Sequence, residues 1–214
     1  MKKLVVAVAA SLLFASSPAL AKKKGGVTMP DSISVAGKSL VLNGMGIREA
    51  TVLKVDVYVA GLYLEKKSKD YKAIINSEQV KRLHLKFVRD VDRDDITEAW
   101  EDGLKKNSGK SYNKDIKPHG KTLNSWMKSF KSGNSLTFTY VPGTGTTVAI
   151  NGSKKGTIKD VFFGRVLFSV FLARAPNAGL ASDEELLMRP QRLGEYSGDR
   201  RSLGMRSDHV PLRP

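Results

Sequence analysis

The chain has no cysteine among its 214 residues. That excludes a disulfide framework, cysteine-ligated zinc, iron–sulfur clusters and a thiol nucleophile. Long apolar runs are missing outside the first residues, which excludes a multi-span membrane protein. Histidine occurs three times. His84, His119 and His209 lack a second histidine or a carboxylate at metal-ligand spacing, so no metal site is expected. His84 lies in a strand pattern and is expected to be structural. There is no P-loop lysine motif and no G-x-S-x-G elbow. Gly44-Met45-Gly46 is not a dinucleotide cradle, because position 49 is Glu49 and a strand rather than a helix follows. No cofactor is expected.

Acids are also in short supply: Asp+Glu 21 against Lys+Arg 36 leaves a formal net charge of +15. Such a balance suits nucleic acid or an anionic surface. The lysines are spread over loops and solvent faces, however, without interleaved aromatics for base stacking, so nucleic acid is not an expected partner. Hydrophobic residues at 41% and charged residues at 27% describe an ordinary folding chain.

The first 21 residues read as a signal peptide. Met1-Lys2-Lys3 is a basic n-region, Leu4 to Phe14 an apolar h-region, and Ala19-Leu20-Ala21 an A-x-A cleavage site. The expected protein is therefore periplasmic or secreted. Lys22 to Gly26 reads as a solvated leader, with structure from Val27 and a domain over residues 22–187. Residues 188–214 read as a disordered, arginine-rich tail: no lysine, phenylalanine, tryptophan or isoleucine occurs there and no period survives. Such a tail would add at most a weak contact with anionic membrane.

Ser32 to Leu42 alternates around Gly37-Lys38 as a hairpin, and Asn43 to Gly46 reads as a glycine-rich turn. From Ala50 to Glu65 the odd positions Leu53, Val55, Val57 and Val59 are apolar, a half-buried strand. Asp70 to Asn76 suits a short helix and Val80 to Val88 a strand. Asp92 to Asp95 precede Ile96, Ala99, Trp100 and Leu104 at helical spacing, where acids complement the helix N-terminus. Leu123, Trp126, Met127 and Phe130 predict a second helix, stopping near Gly133. Leu136 to Tyr140 and Val148 to Ile150 alternate as strands, Asn151-Gly152 is a hairpin signal, and Asp160 opens an apolar helix to about Leu172. The fold class is α+β, with a mostly antiparallel sheet and helices on one face.

Asn43-Gly44-Met45-Gly46-Ile47-Arg48, the run Lys54 to Glu65, Arg89-Asp90-Val91 before a helix with Trp100, and Leu136 to Thr146 together resemble the chalcone isomerase superfamily. The likeness spans Val27 to Leu187 and is greatest to exported bacterial chalcone isomerase-like proteins. It implies an open-faced β-sandwich, a large antiparallel sheet covered by a layer of helices. It also implies two alternative activities: ring closure of a chalcone to a flavanone, or noncatalytic binding of fatty acids in the same cleft. Both use the arginine that matches Arg48, whose planar fork suits a carboxylate or a developing enolate.

In the fatty-acid binders a tyrosine of the next strand joins it. Tyr58 matches and shares Arg48's parity, whereas Tyr63 falls on the opposite face. At the positions of the isomerase's tyrosine and asparagine this chain has Asp92 and Ala99, which supply neither a phenol nor an amide. The expectation is thus a noncatalytic protein binding a small apolar or fatty-acid-like ligand near Arg48 and Tyr58, with no catalytic residue assigned. A chalcone–flavanone isomerase is one alternative, a basic protein of anionic surfaces another. The ligand and the oligomeric state stay open.

Overall fold

The computed structural model describes residues 21–50 and 55–173. Apart from Ala21, the signal peptide and the arginine-rich tail lie outside the described residues. The first elements are β1 (Ala21–Lys24) and β2 (Val27–Pro30), an antiparallel hairpin of its own. The supposed leader is therefore a strand, paired from Ala21 opposite Pro30 to Lys24 opposite Val27. Gly25 and Gly26 make the turn at φ 51 and 76, a conformation that glycine adopts without the Cβ clash.

Seven strands follow as a sequential antiparallel meander: β3 (Ser32–Val35), β4 (Lys38–Ala50), β5 (Val55–Leu64), β6 (Lys81–Phe87), β7 (Ser135–Val141), β8 (Gly145–Ile150) and β9 (Ser153–Ile158). The tight turns at Ala36-Gly37 and Asn151-Gly152 both carry positive φ at their two central residues, whose twist matches that of the flanking strands. Between β5 and β6 lies α1 (Tyr71–Asn76), capped by the Asp70 carboxylate on the N–H groups of Lys72 and Ala73. Between β6 and β7 lie α2 (Arg93–Ser108) and α3 (Lys117–Ser125), joined by a 3-10 turn and a π turn over residues 109–116. The last helix is α4 (Val161–Leu172), whose Phe163 N–H donates to Asp160 Oδ1 at 2.6 Å.

Period two sorts the sheet residues into two cores. Tyr58, Ala60, Leu62 and Leu64 of β5 face the same way as Leu83, Leu85 and Phe87 of β6 and Leu136, Phe138 and Tyr140 of β7. The helices cover this face with Ile96, Trp100, Leu104, Leu123, Phe163 and Phe171. Each such large apolar side chain contributes roughly 1.5–3 kcal/mol on burial. The apolar α4 is buried as expected, except that Val161 and Phe162 at its start are exposed. On the reverse face Val59 and Tyr63 join Leu40, Leu42 and Met45 in a smaller core, closed by Met29 of β2.

Two glycines seat elements across these faces. A Cβ on Gly61 would stand 2.3 Å from Met29 Sδ, so its absence makes the socket for the N-terminal hairpin. A Cβ on Gly156 would stand 2.3 Å from the Trp126 ring. Two expected boundaries differ. Asn43 to Gly46 is not a turn but continuous β4, with a bulge at Asn43 between the pairs Leu42–Tyr63 and Gly44–Leu62. The second helix ends at Ser125, not near Gly133. Phe130 is instead extended, exchanging two 2.8 Å backbone hydrogen bonds with Val91 and stacking on Phe87 at 4.3 Å. Helical spacing at Met127 and Phe130 is overridden by that stack on the sheet.

One cation sits inside the main core. Lys81 is only 2% exposed, and its Nζ donates to the carbonyls of Ile74 (2.8 Å), Ile75 (3.1 Å) and Ser77 (2.9 Å). It thereby serves the C-terminal carbonyls of α1, of which Ile74 also accepts from the Ser77 backbone N–H and hydroxyl. Tyr140 and Phe168 present their rings to the same ammonium at 4.9 and 5.6 Å.

Candidate functional site

Arg48 and Tyr58 are directly opposed in the β4–β5 ladder. Opposed residues of an antiparallel pair share a face, with Cβ atoms roughly 4.5–5.5 Å apart. Tyr58 belongs to the helix-side core, so Arg48 also faces the helices. The two predicted residues do share a face, but through cross-strand pairing of β4 with β5 and not through equal parity along one uninterrupted strand. Their pairing stands immediately beside a register shift between Arg48 and Glu49.

The motif around Arg48 acquires a physical meaning here. Gly44 opposes Leu62 and Gly46 opposes Ala60, so these two glycines lie on the same face as Arg48. Two glycines and an alanine leave no side chain larger than a methyl along this part of the sheet, where Gly46 and Ala60 are buried on the helix side. The bulge residue Asn43 keeps β4 tied to the β5–α1 connection: its amide donates to the Ser68 carbonyl at 3.0 Å and its Oδ1 accepts from the Ser68 N–H at 2.9 Å. The sequence marked Asn43 as the first residue of the Arg48 motif but not as a bulge, because a bulge is defined by the pairing of two strands.

Burial lowers the pKa of the Arg48 guanidinium below its ordinary value, with Tyr58 acting in the opposite sense. A guanidinium nevertheless stays charged at physiological pH. Burial pushes Tyr58 up to about 12, opposed by the Arg48 charge. Tyr58 is therefore a neutral phenol that can donate a hydrogen bond, not a phenolate base. Its ring meets Phe87 edge-on at 5.6 Å, and Phe87 stacks on Phe130. The arrangement offers one fixed positive fork and one neutral donor over an apolar, aromatic floor. It can hold a carboxylate or a polarised carbonyl whose body is apolar.

Tyr63 lies on the other face, as its parity requires. Its hydroxyl donates to the Pro30 carbonyl at 3.0 Å, tying down the N-terminal hairpin. Asp92 is the exposed residue preceding α2, and its side chain makes no capping hydrogen bond. Ala99 lies within α2. Neither supplies a phenol or an amide at the helix-side face. His84 Nδ1 contacts Thr137 Oγ1 at 3.0 Å, and burial followed by the charges of Lys86 and Arg82 lowers its value.

A family model described as chalcone isomerase-like matches residues 21–182. Among solved structures, the crystal structure of an Arabidopsis thaliana fatty-acid binding protein is similar with a TM-score of 0.60, over 74% of this chain and 90% of that one. The two are 19% identical, so the likeness is one of fold. No curated protein matches the chain.

Proposed function

From a chain that belongs to the chalcone isomerase-like family, we propose a noncatalytic binding protein that holds a fatty-acid-like ligand against the Arg48 face. The observation that carries this reading is the pairing of Arg48 with Tyr58 beside a glycine strip, where Asp92 and Ala99 replace the phenol and amide of ring closure. The carboxylate of the ligand accepts from the Arg48 guanidinium and the Tyr58 hydroxyl. The acyl chain runs on from Arg48 over the helix-side face of the sheet. The Arabidopsis protein named a fatty-acid binder has this fold and supports the ligand class. The basic n-region, apolar h-region and A-x-A site support export, which N-terminal sequencing of the protein from a periplasmic extract tests.

Displacement of a fluorescent fatty acid by palmitate tests the binding. A charge-assisted hydrogen bond contributes about 1.5–3 kcal/mol, so Arg48→Ala should weaken palmitate roughly tenfold to a hundredfold. Tyr58→Phe should weaken it less. Absence of palmitate binding, or binding indifferent to Arg48→Ala, would refute the reading. Turnover of a chalcone, followed as loss of its enone absorbance and abolished by Arg48→Ala, would replace it with the isomerase.

A further inference from the structure

We propose that the cavity between the N-terminal hairpin and the reverse face of the sheet is a second ligand site, for a small carboxylate with a short apolar body. The cavity measures about 360 Å³, within the range of small-molecule sites. Val27, Met29 and Pro30 of β2 form its apolar wall, and Tyr63, His84 and Lys86 rise from the sheet. The floor is opposite the Arg48 face: Tyr63 pairs Leu42, and both belong to the core beneath the hairpin. The site therefore stands or falls independently of the Arg48 reading.

The lining residues include no acid. Lys86 Nζ donates to the Gly133 carbonyl. An ammonium carries three N–H donors, so two remain for a ligand. His84 engages Thr137 through Nδ1, leaving Nε2 as the ring's second polar atom. The Tyr63 hydroxyl is already committed to Pro30, and the nearby Asp31 acts on Tyr63 without lining the cavity. The wider face has the same sign. Strands β6 to β9 contain no Asp or Glu, and Arg82, His84 and Lys154 occupy reverse-face register positions. Asp31 beside Tyr63 is the acid nearest this surface, and the lysines, arginine and hydroxyls of β6 to β9 outweigh it in the potential at the cavity mouth. One available ammonium beside an imidazole matches a singly charged head, and Val27 and Met29 match a short chain.

The test uses the full chain with ¹³C-labelled methionine methyls, titrated with hexanoate. The Met29 methyl, assigned by its loss in Met29→Leu, reports from inside the cavity. A saturable shift is expected, weakened about tenfold by Lys86→Gln, retained in Lys86→Arg and unchanged by Arg48→Ala. Absence of a saturable Met29 shift would overturn the proposal. So would indifference to Lys86→Gln, loss of the shift in Arg48→Ala, or inorganic phosphate binding as strongly as hexanoate.

Discussion

Replacing Lys81 with methionine keeps the length and apolar stem of the side chain and removes the ammonium. Three carbonyls then lose the Lys81 ammonium that donates to them at 2.8–3.1 Å. Ile74 retains the Ser77 hydroxyl at 2.8 Å, whereas the Ile75 carbonyl loses its side-chain donor. Leaving a buried acceptor without a partner costs about 1–3 kcal/mol, so a loss near 2 kcal/mol is expected at neutral pH. For a domain of this size that lowers the melting temperature by roughly 4–8 °C.

The pH dependence has a definite sign. Burial brings Lys81 down from 10.5 to about 8, with Arg165 adding to the effect and Glu78 opposing it. Above about pH 8 the folded protein has released this proton while the unfolded chain still holds it. Stability rises with pH wherever the unfolded state binds more protons. The wild type therefore gains on Lys81→Met by about 2 kcal/mol between pH 7 and about pH 9.5. Urea unfolding of both proteins across that range, followed by circular dichroism, measures the gap. A gap that narrows as pH rises would show the carbonyl bonds outweighing desolvation and would refute the reasoning. A variant within 0.5 kcal/mol of wild type, on the order of a surface substitution, would refute the capping role.

Gly156→Ala should cost about 2 kcal/mol through overpacking, since its Cβ would meet Trp126 ring atoms at 2.3, 2.6 and 2.9 Å; an unchanged tryptophan emission and melting temperature would contradict the contact. Asp160→Ala should cost about 1 kcal/mol by removing the cap on α4, whereas Asp92→Ala should cost less, because its side chain makes no capping bond. Thermal unfolding of the pair checks the contrast, and equal losses would count against it.

Local periodicity made most of the sheet legible. Alternation in Ile33 to Leu42 and in Leu136 to Tyr140 required one buried face, and Asn151-Gly152 required a tight turn. The half-buried strand expected around Val55 to Val59 is instead buried on both faces from Tyr58 to Leu64, because helices cover one side and the N-terminal hairpin the other. The apolar run after Asp160 required a buried helix. Parity within β5 separates Tyr58 from Tyr63, but Arg48 lies on β4 beside a register shift, so its place opposite Tyr58 was decided by the pairing of the two strands. What depends on partners distant in the chain was decided by tertiary structure. Lys22 to Lys24 reads as solvated leader until β2 offers it a pairing edge. The glycines at 44 and 46 suit a turn equally well until β5 runs beside them and Asn43 takes up the extra residue as a bulge. Met127 and Phe130 have helical spacing, but Phe130 gains more by stacking on Phe87 than by continuing α3. A lysine is read as surface by default, and only the convergence of the α1 carbonyls with two aromatic rings buries Lys81. The cavity beside Lys86 likewise exists only because Met29 finds the missing side chain of Gly61, a contact between two segments that no local pattern encodes.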